Sequence, residues 1–146
     1  MLRRFALLVL VLLPAAAHAA PAAPGFRVKT LDGARTIDSR ALLGQKVVVL
    51  RFQASYCKPC ARESAALAAL AERYRARGVE VLALHVQDAT ADVREFVRAQ
   101  RVTYPIALDP KLAIGNRFGF RGTPYTVVID RHGEMEIGRA SCRERV

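Results

Sequence analysis

The run Val47–Phe52, VVVLRF, leads through a short loop into Cys57-Lys58-Pro59-Cys60 and then into a helical pattern, and this order constrains the chain more than any other feature. A short apolar, β-branched run interrupted only by Arg51 predicts a strand buried on both faces. From Pro59 to Arg77 the pattern is helical: Pro59 suits a first turn, Leu67, Leu70, Ala71 and Tyr74 recur at i, i+3, i+4 and i+7, and Gly78 stops it. Val79–Val86 reads as a second buried strand. A second helix follows, with start signals at Asp88 and Thr90 and an end near Gln100. Strand, helix, strand, helix implies parallel pairing and an α/β domain.

Before this unit, Phe26–Leu31 alternates, and Asp32-Gly33 turns it toward Thr36-Ile37, so a hairpin is expected there. After it, Tyr104–Leu108 reads as an extended segment, Pro110–Phe118 as a short helix, and Tyr125–Asp130 as a strand ending in the hairpin turn Arg131-His132-Gly133-Glu134. With 146 residues, 52% of them hydrophobic, there is material for a single core. Residues 20–135 are taken as that domain.

Both ends read differently. Met1–Ala19 has the form of a secretory signal peptide, with Arg3 and Arg4 ahead of the apolar stretch Phe5–Leu13 and Ala17-His18-Ala19 as a cleavage site. The apolar run is nine residues, against the ~20 that span a bilayer, so cleavage is expected and a membrane-anchored form is the alternative. Export places the domain in an oxidising compartment, the periplasm. Residues 136–146, EIGRASCRERV, resemble the translation of a sequencing-library adapter, and an artefactual tail that packs weakly or not at all is expected there. The chain would then lack its last strand and helix and behave as an aggregation-prone fragment.

The balance of 23 Lys+Arg against 13 Asp+Glu, a formal +10, raises nucleic-acid binding. The basic residues of the domain are scattered, without a basic run or interleaved aromatics, so no nucleic-acid partner is expected. Three cysteines are too few for a four-cysteine zinc site, and discounting Cys142 with the tail leaves Cys57 and Cys60. His85, inside a strand, and His132, in a turn, are read as core packing and surface.

Disulfide exchange needs a thiolate, and a helix N-terminus lowers a thiol's pKa from about 8.5 by presenting unpaired N–H groups and partial positive charge. Cys57 stands at that position with Lys58 beside it and is the expected nucleophile. Cys60, further along the same helix, is the expected resolving thiol. The C-x-x-C alone also fits half a metal site or two inert cysteines.

The stretch VVVLRFQASYCKPCARE together with RGTPYTVVIDRHGE, the LDG near Leu31 and the Leu108–Pro110 LDP resembles the exported TlpA/ResA-like branch of the thioredoxin superfamily, over about Phe26 to Glu134. The resemblance implies a thioredoxin-like α/β fold, a mixed sheet flanked by helices. It implies a protein disulfide reductase that needs no cofactor, acts on protein disulfides as a monomer, is recharged by a membrane thiol-transferring donor, and serves cytochrome c maturation. It also implies that Pro124 is cis and faces the C-x-x-C, that the Thr123 backbone pairs with substrate, and that Tyr56 stands where the family has Trp as an aromatic wall. Sequence alone leaves Pro124 equally compatible with a trans turn. Arg51 occupies a position that carries Asp or Asn in the superfamily, and an Arg cannot accept the proton that Cys60 loses. Glu63, one turn beyond Cys60 and matching the family's C-x-x-C-x-x-E, is the candidate base and the expected partner of Arg51. Ala65 replaces a helix-kinking proline, so a straighter helix is expected. Two alternatives remain: a peroxiredoxin-like peroxidase, whose pattern wants Thr where Ala54 stands, and a non-catalytic peptide-binding module.

Overall fold

The computed structural model describes residues 20–138, so the expected signal peptide, residues 1–19, and the end of the expected tail, residues 139–146, lie outside the described residues. β1 (Arg27–Lys29) and β2 (Thr36–Asp38) form the expected antiparallel hairpin. A single helical turn, α1 (Ser39–Leu42), follows, with the Asp38 carboxylate accepting from Arg40 N at its start. The sequence carried no periodicity long enough to announce it.

β3 (Val47–Gln53), α2 (Lys58–Arg75), β4 (Val79–Val86), α3 (Thr90–Ala99) and β5 (Ile106–Asp109) come next, then β6 (Tyr125–Ile129) and β7 (Met135–Gly138). The sheet order is β5-β4-β3-β6-β7, with β3, β4 and β5 parallel and β6 and β7 each antiparallel to its neighbour. Alternation along the central strands splits the core. Leu50 and Phe52 of β3 and Leu82, Leu84 and Val86 of β4 pack with Phe26, Ile37, Phe118 and Val127. Val81 and Ala83 point the other way, against Ala71 and Leu67 of α2 and Val93 of α3. At the C-terminal ends of the parallel strands the loop after β3 and the start of α2 pack with Phe96 of α3, and ligand sites of α/β sheets form at such ends.

Two expectations fail here. Of Pro110–Phe118 only Gly115–Phe118 is helical, and it is 3-10. The buried Asp109 carboxylate accepts from Ile114 N and Gly115 N at 3.1 and 2.7 Å, and Leu112 has φ 56°, so the chain is folded back on Asp109 rather than wound into an α-helix. The second failure concerns the tail. Residues 136–138 continue β7, pairing Thr126↔Gly138, Val127↔Ile137 and Val128↔Glu136, so the last strand is present. The turn at Asp130–Gly133, where Gly133 has φ 82° and the Asp130 side chain accepts from His132 N and Glu134 N, sets the register, and main-chain hydrogen bonds then extend the ladder.

Glu80 at the start of β4 is buried and takes hydrogen bonds from Arg35 at 2.5 Å and Lys46 at 2.9 Å. Burial by itself would raise its carboxyl, but the hydrogen bonds from Lys46 and Arg35 and their charges outweigh it and hold the group below the ordinary carboxylate range. A lowered folded-state value means the stabilisation is complete above the unfolded value of about 4.3 and disappears as pH falls through the folded one. Glu80→Gln therefore destabilises the protein at neutral pH, by about 1 kcal/mol once the half-exposed cations are discounted. Thermal unfolding across acid pH should show the two proteins converging.

Candidate active site

Cys57 is the N-cap of α2: its backbone is extended, and its sulfur accepts from Cys60 N at 3.2 Å. Pro59 in the first helical turn sacrifices no intrahelical hydrogen bond. The pair is joined as a disulfide with Cα atoms 5.2 Å apart; Cys57 is 6% exposed and Cys60 1%. The less buried cysteine is thus the one whose sulfur sits on an N-cap hydrogen bond, where a helix stabilises an anion. α2 runs without a break through Ala65, as expected.

Arg51 is buried in β3 and forms an ion pair with Glu63 through one terminal guanidinium nitrogen while the other terminal nitrogen donates to Thr126 Oγ1 at 2.8 Å. The pair predicted from sequence is therefore present: β3 and the first turns of α2 place residue 51 beneath residue 63. Glu63 is about one-third exposed, so the carboxylate connects the buried cation to solvent. Ser64 Oγ donates to the Cys60 carbonyl at 2.9 Å.

The Thr123-Pro124 peptide bond is cis. Phe52 pairs with Tyr125, which puts Thr123 and Pro124 at the end of the sheet from which the Ala54–Cys57 loop emerges. Both are half-buried, and Tyr56 is 66% exposed beside the cysteines in sequence.

His85 is fully buried with its ring against Phe96, the core position expected of it; what the sequence did not announce is that both ring nitrogens are hydrogen-bonded, Nε2 lying 2.8 Å from Gln53 Nε2 and Nδ1 2.9 Å from Asp88 Oδ2. Asp88 in turn accepts from Ser55 N and Ser55 Oγ, both at 2.6 Å. Burial pushes His85 below its usual value despite the hydrogen bond to Asp88. Burial would raise Asp88, but the hydrogen bonds from Ser55 and His85 outweigh it and keep the carboxyl ionised. The available signal was that β3 and β4, VVVLRFQ and VEVLALHV, each carry a polar residue near the C-terminal end of an apolar run. Among the described residues no three His, Cys, Asp or Glu side chains converge to hold a metal ion.

Residues 19–137 match the model of the AhpC/TSA family. The chain belongs to that family. This AhpC/TSA chain is 34% identical over 119 residues to the thiol-disulfide oxidoreductase ResA of Halalkalibacterium halodurans, covering 82% of this chain and 66% of that one. It therefore spans slightly under two thirds of that relative. Among solved structures it is similar to MTB dsbF, at 28% identity and TM-score 0.71 over 78% of this chain and 83% of that one. It is also similar to a putative thiol:disulfide interchange protein DsbE from Chlorobium tepidum, at 27% identity and TM-score 0.72 over 82% and 83%. The fold of this AhpC/TSA member is thioredoxin-like α/β, a mixed sheet flanked by helices.

Proposed function

We propose that this chain is an exported thiol-disulfide oxidoreductase that reduces disulfides of other proteins through Cys57 and Cys60. The observation that carries the reading is the nucleophile's seat: a sulfur on an N-cap hydrogen bond, paired three residues on with a buried second cysteine. The likeness to ResA supports it.

In the reduced protein the Cys57 thiolate attacks one sulfur of a substrate disulfide. A mixed disulfide forms, and the other substrate sulfur leaves as a thiolate that takes up a proton. Cys60 gives its proton to Glu63 and attacks Cys57 sulfur, which releases the second substrate thiolate and leaves the Cys57–Cys60 disulfide. Two electrons pass from the protein to the substrate, and a dithiol donor restores them. Arg51, buried beneath Glu63, holds that carboxylate in place through their ion pair. Tyr56 and the Thr123-Pro124 segment supply the surface on which substrate chain lies.

Assignment to the periplasm rests on the Met1–Ala19 pattern, and service to cytochrome c maturation rests on the family resemblance. A membrane thiol-transferring donor and a monomeric state belong to the same proposal. Peroxide reduction is disfavoured by Ala54, which is fully buried three residues before Cys57 and brings no hydroxyl toward its sulfur.

Reduction of insulin disulfides with dithiothreitol as donor tests the function: acceleration over dithiothreitol alone is expected, and its absence overturns the reading. Glu63→Gln tests the base. Release of the mixed disulfide should slow by about a hundredfold, the low end of the usual worth of a positioned base, and its pH dependence should change shape. An unaltered pH–rate profile removes Glu63 from the mechanism.

A further inference from the structure

Gln53 and His85 face each other in the parallel register of β3 and β4, as the last pair of that ladder at its C-terminal end. A glutamine Nε2 only donates, so the contact at 2.8 Å leaves His85 Nε2 as the acceptor and the ring proton on Nδ1. That proton is directed at Asp88, whose two oxygens hold Ser55 N and Oγ. Ser55 lies in the loop that delivers Cys57 to the helix N-terminus, and Cys57 N in turn donates to Ala54 O at 3.1 Å. The chain of contacts Gln53, His85, Asp88, Ser55 therefore ends two residues from the sulfur.

Two further features point to the same place. Gln87, next to Asp88, has φ 51°, a left-handed conformation that a non-glycine residue adopts at a cost and keeps only where its surroundings require it. The strained residue turns Asp88 back under the Ser55 loop. The His85 ring also stands edge-on to Phe96 at 5.1 Å, and Phe96 packs with Ala54, Cys57 and Cys60. His85 thus meets the disulfide's surroundings from two sides.

We propose that His85, by donating from Nδ1 to Asp88, is a positioning residue that fixes the Ser55–Cys57 loop and so keeps the Cys57 sulfur on the N-cap hydrogen bond of α2. This rests on the thiol-disulfide reading and adds a residue to it. Other charged and titratable groups at this end of the sheet include Arg51 from β3, Lys58 and Glu63 from α2, Tyr104 ahead of β5, which lies near Gln53, Ser64 and Arg51, and the buried Asp109 at the end of β5, whose carboxylate is taken up by Ile114 N and Gly115 N. Among the described residues, Asp88 is the charged partner to which His85 is hydrogen-bonded.

The two nitrogens are separable by substitution. An asparagine amide stands about where imidazole Nδ1 stands, and a glutamine amide where Nε2 stands. His85→Asn retains the donor to Asp88 and gives up the Gln53 contact; His85→Gln does the reverse. The readout is alkylation of Cys57 by iodoacetamide in the reduced full chain as a function of pH, followed by peptide mass so that Cys60 and Cys142 do not contribute.

In His85→Gln the apparent pKa of Cys57 should rise by about one unit, about tenfold less thiolate at pH below it, while His85→Asn should stay close to the parent protein. Equal shifts in both variants, or no shift in His85→Gln, overturn the proposal. Circular dichroism checks folding first. Should His85→Gln not fold, Ser55→Ala decides: it cuts the far end of the chain without touching the buried ring, and it should raise the Cys57 pKa in the same direction. An unchanged titration in Ser55→Ala then overturns the proposal. Insulin reduction by the parent protein reads the underlying function separately, so loss of that activity with the Asn and Gln contrast intact would sink the function and leave the positioning role standing.

Discussion

Cys57→Ser abolishes disulfide exchange, and Cys60→Ser stalls it as a mixed disulfide carried on Cys57. The asymmetry follows from where the helix places each sulfur. Cys57 has the N-cap seat and the larger exposure, so attack on an incoming disulfide belongs to it, and a serine hydroxyl there cannot ionise to replace it. Cys60 is 1% exposed and meets substrate only after the substrate is bonded to Cys57. Its removal leaves attack intact and resolution lost, so a covalent adduct accumulates. Non-reducing electrophoresis and intact mass after mixing reduced variants with a protein disulfide read the outcome. Trapping by Cys57→Ser in place of Cys60→Ser would reverse the two roles.

Phe52→Ala should bring the protein close to unfolding, a cost of about 3–5 kcal/mol against a typical total of about 5–15 kcal/mol. Phe52 has no exposed surface and touches three aromatic rings, Phe118, Phe120 and Tyr125, with centroids 5.8 to 6.0 Å away. Removing the ring opens a cavity that these rings, each packed against one another or the rest of the close-packed core, cannot fill. The midpoint of thermal unfolding should drop by on the order of 10 °C. The damage should also reach the site. Tyr125 packs on Phe52 and donates to Phe118 O at 2.9 Å, and these two residues anchor the ends of the loop that carries Thr123 and Pro124. Phe52→Ala should therefore weaken substrate affinity at temperatures where the protein is still folded, with Cys57 alkylation little changed. A fall in alkylation equal to the fall in substrate turnover would place Phe52's influence on the nucleophile instead.

Much of this protein was legible in the order of its residues because the information is local. A helix is specified by apolar spacing, so α2 and its start at the C-x-x-C could be read directly, and a buried strand by a short apolar run, so β3 and β4 could be read as well. The Arg51–Glu63 pair was legible for a related reason: a cation in a strand with two buried faces demands a partner, and the acid one turn beyond Cys60 was the acid near the motif. The 3-10 turn was not legible. Its geometry depends on the Asp109 carboxylate folding back on Ile114 and Gly115, and side-chain capping competes with helix formation without altering the apolar pattern.

Residue order alone carried the α/β succession and the placing of a cysteine at a helix start. Tertiary structure alone decided which residues meet across the sheet. Gln53 and His85 are 32 positions apart, and nothing in either segment announces the other. They become partners because parallel pairing of β3 with β4 brings the two strand ends level, and because a buried imidazole must have both nitrogens satisfied. Residues 136–138 teach the same lesson at an edge. Their side chains suggested no strand, but the ladder to β6 is made of main-chain N–H and C=O groups that every such residue possesses, and the turn at Gly133 delivered them in register.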